Sequence, residues 1–181
     1  MAEPSTHQPD IGVPGPGALR AALEREHRAI DGGVEDFLAG AGGLDQAERR
    51  LREALTALRR HIYLEEEFLF PPMRSSGLLA PVFVMLSEHR DLWRTMDLLE
   101  AQLDGAGLDG AGLDGAQLDG VVDASRQTAA TLLAQLDRHN TKEEPIIYGA
   151  ADTTLTEDAR AELADFISHE QLPAGWTCQG A

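Results

Sequence analysis

Apolar residues recur at helical spacing along most of the chain. Over residues 18–39 they fall at Leu19, Leu23, Ile30, Val34 and Phe37, ahead of a Gly-rich stop at 40–43. A second stripe, Leu51, Leu55, Leu58, Ile62 and Leu69, runs from Asp45, a candidate N-cap, to Phe70, where Pro71-Pro72 should end it. The third starts near Pro81 and carries Val82, Met85, Leu86, Leu92, Met96 and Leu99 to about Leu103. The fourth spans roughly Val121 to Tyr148, with Leu132, Leu136 and Ile146 in line. A shorter fifth helix, 156–170, follows Thr154, which with Glu157 would form a capping box. Four long amphipathic helices with mostly short connections predict an all-α fold: an antiparallel up-down four-helix bundle over 17–150 with a short extra C-terminal helix.

Two stretches break this pattern. Residues 1–16 hold four prolines and two glycines and are expected to form a disordered tail. Residues 103–120 read LDGAGLDGAGLDGAQLDG, a five-residue repeat with too few copies to stack and too much Asp and Gly for a regular helix. A flexible loop is expected there, and residues 151–181 are assigned to the C-terminal helix and tail.

Some stripe positions are not apolar. In the first helix, Leu19, Leu23, His27, Ile30 and Val34 step by 4, 4, 3 and 4, so His27 faces inward. Leu58, His61, Glu65 and Leu69 place a histidine and a glutamate on the inner face of the second. His89 lies in line with Met85, Leu92 and Met96, and both His139 and Glu143 lie in line with Leu136. With helix legs compared at ~1.5 Å per residue, the four histidines can meet at one level of the bundle. One histidine on a core stripe is ordinarily a hydrogen-bonded core residue. Four histidines and two glutamates at one level are different, because buried carboxylates need a compensating charge. Two His/Glu pairs at i, i+4 with two further histidines suit a pair of first-row transition ions, iron first, with manganese or zinc behind it.

Of the neighbouring residues, Glu66 falls at the flank of the stripe, as a support behind the ligands or a surface charge, and Glu67 should face water. Asp31 and Glu35 are expected to be solvated or to support the site from outside. His7 and His169 are expected at the surface, and Cys178 in a polar tail has no histidine to activate it. Tyr63, Trp93 and Tyr148 are candidates for a bearing on redox chemistry.

Composition narrows the partners. The 181 residues carry a formal charge of −16, which argues against nucleic acid and anionic membranes as partners. Hydrophobic residues at 43% support a folded core, and aromatics at only 5% favour helix over sheet. The single cysteine, Cys178, cannot build a disulfide framework or a thiolate cage within one chain. With no signal-peptide pattern or membrane-length apolar run, a cytoplasmic protein is expected.

The segments EHRAI (26–30), HIYLEEEFLFP (61–71), EHRDL (88–92) and HNTKEEPIIY (139–148) resemble the hemerythrin-like, or HHE cation-binding, family of four-helix di-iron proteins. The chain also echoes itself: EHR recurs at 26 and 88, and H-x-x-x-E-E at 61 and 139. The resemblance implies metal ligands at His27, His61, Glu65, His89 and His139, with Glu143 or Glu144 as the last carboxylate. Glu143 is preferred, because it mirrors Glu65 and falls on the stripe. Oxygen-carrying hemerythrins have a second histidine one turn after the third-helix histidine, where this chain has Trp93. The chain is therefore more similar to the bacterial subgroup with four histidines and two glutamates. That resemblance implies two iron ions and O2, H2O2 or NO as small ligands, handled by an oxidoreductase or by a carrier, store or sensor. A metal-free helical interaction module is the remaining alternative.

Overall fold

The computed structural model describes residues 17–106, 115–169 and 171–181. Helix α1 (Ala18–Ala39) and helix α2 (Leu44–Leu64) are followed by a π-helical turn at Glu65–Leu69 and by α3 (Phe70–Ser75). Helices α4 (Leu79–Ala106) and α5 (Gly115–Glu143) form the second long pair. A π-helical turn at Glu144–Tyr148, α6 (Gly149–Thr154) and α7 (Glu157–His169) follow. The described residues form an all-α bundle of the expected kind, in which α1 packs chiefly on α2, α4 on α5, and α1 on α5. None of their helices is long and apolar enough to cross a membrane.

Local chemistry explains the ends of α1. Gly40 adopts φ 65°, and Ala41 N–H returns to Asp36 O at 3.0 Å, closing the last turn as a Schellman cap. The pair α1 and α2 can approach closely because residue 33 is glycine: a Cβ there would stand 2.6 Å from the Ala54 Cβ.

Several expected boundaries are corrected. Gly43, not Asp45, caps α2. The Pro71-Pro72 pair does not end the helical path, because both prolines sit in the first turn of α3, where no backbone N–H is required. Helix α7 is capped by Thr156, whose Oγ1 accepts Ala159 N–H at 3.2 Å, rather than by Thr154, which closes α6. The ends of the LDGAG tract are helical: α4 continues to Ala106 and α5 begins at Gly115, while residues 107–114 lie outside the described residues. Packing outweighs the poor propensity on the first side, since Leu103 is buried in the core.

The core has two apolar clusters. One gathers Val34, Leu51, Leu55, Leu58, Met96, Leu99, Leu132 and Leu136. The other gathers Leu19, Leu23, Leu69, Phe70, Met85, Ile147, Leu163 and Phe166. The polar stripe positions fall between them along each helix: His27 lies between Leu23 and Ile30, His89 between Met85 and Leu92, and His139 after Leu136.

The π turns set what faces this layer. In an α-helix, a residue five positions on sits about 140° off the original face. A turn closed by an i→i+5 bond brings that residue back round. The Phe70 N–H bonds Glu65 O, and the Gly149 N–H bonds Glu144 O, in the two duplicated segments. Tyr148 thus returns to the face of Glu143. The same shift corrects the fourth stripe: Ile147 is buried and Ile146 is 44% exposed.

Candidate metal centre

All six inward polar residues converge. His27, His61, His89, His139, Glu65 and Glu143 are buried, and both glutamates are 0% exposed. They form two overlapping groups, His27/His61/Glu65/Glu143 and Glu65/His89/His139/Glu143, each with its ligand atoms within 4.8 Å of one another. Glu65 and Glu143 belong to both. The Glu65 Oε1 lies 3.0 Å from His61 Nε2, and its Oε2 lies 3.2 Å from His89 Nε2. The Glu143 Oε2 lies 3.1 Å from His139 Nε2 and 3.7 Å from His27 Nε2. The i, i+4 spacing from His61 to Glu65 and from His139 to Glu143 creates both pairs locally.

Each imidazole is oriented from behind by a second carboxylate. His27 Nδ1 meets Glu144 at 3.0 Å, His61 Nδ1 meets Glu26 at 2.8 Å, His89 Nδ1 meets Glu66 at 2.9 Å and His139 Nδ1 meets Glu88 at 3.1 Å. A carboxylate can only accept here, so each Nδ1 carries the proton and each Nε2 turns inward. These partners follow the internal duplication. The glutamate of each EHR segment holds the histidine of the next long helix, and the second glutamate of each H-x-x-x-E-E segment holds the EHR histidine of the other half, Glu66 with His89 and Glu144 with His27. Sequence reasoning assigned no such role to Glu26 or Glu88. It placed Glu66 at the stripe's flank, as a support behind the ligands or a surface charge, and weighed Glu144 as a ligand. The signal was present, because all four recur at matching positions of the two halves.

Glu144 is a third exposed and turned to His27, whereas Glu143 lies within both groups. Tyr148 enters the first group from the π turn. Its hydroxyl is 2.9 Å from both His27 Nε2 and His61 Nε2, donates to Glu65, and lies 3.2 Å from Glu143 Oε2. The duplicated position in the other half is Phe70, which stacks on His89 with ring centroids 5.4 Å apart.

The electrostatics call for positive charge inside. Burial opposes a proton on His61, yet Glu65 and Glu26 lift it to about 10. Burial is likewise overridden at His139, which Glu143 and Glu88 lift to about 10. For Glu65, burial would raise the carboxyl, but His61 and His89 hold it well below the usual range. His27 is lowered by burial and by the neighbouring His61. Burial, Glu143 and Glu65 push the Tyr148 phenol well above its ordinary value.

The residues fit a metal ion. His61 Nε2 and His27 Nε2 lie 3.0 Å apart, a clash of lone pairs unless a proton or cation lies between. Glu65 Oε2 and His89 Nε2 face each other at 3.2 Å without hydrogen-bond geometry, and Glu143 Oε1 is buried with no hydrogen-bond partner among the described residues. Four imidazole nitrogens and two carboxylates make a mixed N/O set of the kind first-row transition ions favour.

A family model, the hemerythrin HHE cation-binding domain, matches residues 18–151. The chain belongs to the hemerythrin HHE cation-binding family. Neither a search of curated proteins nor one of solved structures finds a match. The matched span of this hemerythrin domain includes all six inward residues and the four carboxylates behind them.

Other residues weighed from the sequence fall outside the centre. Trp93 packs on Trp176 and under the Arg59 guanidinium, and Tyr63 packs on Phe68, Phe166 and Trp176. Asp31 is half-buried beside Asn140, Glu35 is exposed, and His169 is exposed beside Asp165. His7 lies outside the described residues. Cys178 is not in a solvated tail as expected: it is buried in the core cluster, and burial with nearby Glu66 pushes its thiol up to about 11, which leaves it unreactive.

Proposed function

We propose that this hemerythrin-like domain holds two iron ions and acts on O2, peroxide or NO. The observation that carries the reading is the pair of overlapping ligand groups: two histidines each, with Glu65 and Glu143 common to both. On this reading His27 and His61 would hold one ion and His89 and His139 the other. Bound iron would supply one-electron redox chemistry and affinity for small oxygen- and nitrogen-containing ligands.

The chain's own groups have defined tasks. Glu26, Glu66, Glu88 and Glu144 fix each imidazole so that Nε2 presents its lone pair inward. The apolar clusters on either side exclude water from the layer. Tyr148 keeps its proton and delivers a hydrogen bond to Glu65 beside His27 and His61, so a neutral donor faces one half only. Phe70 makes the other half apolar.

Consumption of peroxide and of NO by iron-loaded protein tests this. The proposal expects turnover that is lost in Glu65→Ala. Equal rates in both proteins would remove the enzymatic reading, and a long-lived reversible ligand spectrum without turnover would replace it with carriage, storage or sensing.

A further inference from the structure

The four carboxylates behind the histidines are not equivalent. The side chains of Glu26, Glu88 and Glu144 are 17%, 27% and 32% exposed, whereas that of Glu66 is 0% exposed. Glu26 also takes Arg60, and Glu88 also takes Lys142. The second oxygen of Glu66 instead accepts the backbone N–H of Gln179 at 2.7 Å. That donor comes from the C-terminal strand of chain that follows α7, outside the bundle and beyond residue 151, where the family match ends.

This strap is anchored on both sides of the contact. Trp176 packs edge-on against Trp93 at 5.6 Å and against Tyr63 at 5.1 Å, and its indole N–H donates to Glu67 at 3.0 Å. Cys178 is buried in the core, Gln179 Oε1 accepts Arg74 at 3.3 Å, and Gly180 lies against the Arg90 side chain. A buried carboxylate needs every acceptor position used. Without the Gln179 N–H, Glu66 would hold His89 with one oxygen and leave the other unsatisfied in the core or draw water in beside the ligand.

We infer that the C-terminal strap is a positioning element for one half of the centre: through Gln179 N–H and Glu66 it fixes His89, so that the His89/His139 ion is held more slowly exchanging than the His27/His61 ion. The inference rests on the proposed two-metal reading. In the other half, the corresponding carboxylate is Glu144, which is a third exposed and, among the described residues, has no strap over it. The centre is therefore two-fold in its ligands and one-sided in its support.

The test compares wild type, Gln179→Ala and Gln179→Pro, each loaded anaerobically with ferrous iron and then mixed with excess ferrous chelator. Alanine keeps the backbone N–H and loses only the Arg74 contact, whereas proline removes the N–H itself. A chain ending at Cys178 deletes the donor while retaining Trp176 and Cys178 packing, and serves where proline disturbs the turn. The expected result is two release phases in wild type and Gln179→Ala. The slow phase is faster by roughly 10- to 100-fold in Gln179→Pro and in the shortened chain, with the fast phase unchanged. Identical release in all four proteins, or equal acceleration of both phases, overturns the strap's role while leaving the metal reading intact. Wild type that takes up no iron overturns the metal reading and this inference with it.

Discussion

Loading the centre should expel protons in a countable number. In the metal-free fold, His61 and His139 are lifted to about 10, so at pH 7 each carries a proton on the inward Nε2 as well as on Nδ1. A metal ion needs that lone pair, so both protons must leave. Moving a proton off a group three pH units below its pKa costs about 4 kcal/mol per histidine at 1.36 kcal/mol per unit. Metal affinity should therefore rise with pH between 7 and about 10, by about two decades per pH unit for the loaded chain. His89 is raised in the same direction by Glu65 and Glu66, despite its burial. The assay is a pH-stat titration of metal-free protein with Zn2+, which binds such sets without redox change. At least two protons released per chain at pH 7 is the expected result. Release of fewer than one, with zinc bound, would refute the inward protonation and the electrostatic account built on it. The same protons stabilise the metal-free fold. Because the folded values lie above the unfolded 6.5, that contribution is complete below pH 6.5 and is lost as pH rises through about 10. The metal-free Tm should fall across that window, and the loaded protein should not follow it.

Three further outcomes are expected. Glu67 is exposed and accepts the Trp176 indole N–H of the strap, so Glu67→Gln, which still accepts that bond, should leave iron content unchanged; a halved content would move it into the centre. Asp31 is pushed up to about 6 by burial and by Glu35, Glu144 and Asp137. Its folded value exceeds the unfolded one, so stability is lost as pH rises through this window, and Asp31→Asn should raise Tm at pH 7 by more than at pH 5. An equal Tm change at both values would contradict this. Leu55 is 0% exposed in the cluster below the centre, and Leu55→Ala should cost about 2–5 kcal/mol in denaturant unfolding. A cost under about 1 kcal/mol would mean that the cluster collapses around the gap.

The sequence made the inner layer legible because a helix repeats its face every three to four residues. His27, His61, Glu65, His89, His139 and Glu143 each occupy a slot that neighbouring leucines and methionines mark as interior. The supporting carboxylates were harder, since Glu26, Glu66, Glu88 and Glu144 each sit one residue from an inner residue, about 100° round, where a charge reads as solvated. Only contact between helices shows that this flank faces a histidine. The π turns were invisible to a fixed 3.6-residue period, and they exchanged Ile146 for Ile147 and carried Tyr148 into the centre. Trp176 and Cys178 offered too short a segment for any periodicity, so the strap emerged only from its packing on Trp93 and Glu66.

The central claim is that six inward residues hold two ions. Iron per chain, measured by elemental analysis after anaerobic loading and removal of excess metal, tests it most directly. The account predicts two iron ions per chain in wild type and a clear loss in Glu65→Ala. Well under one ion per chain in properly loaded wild-type protein would contradict it.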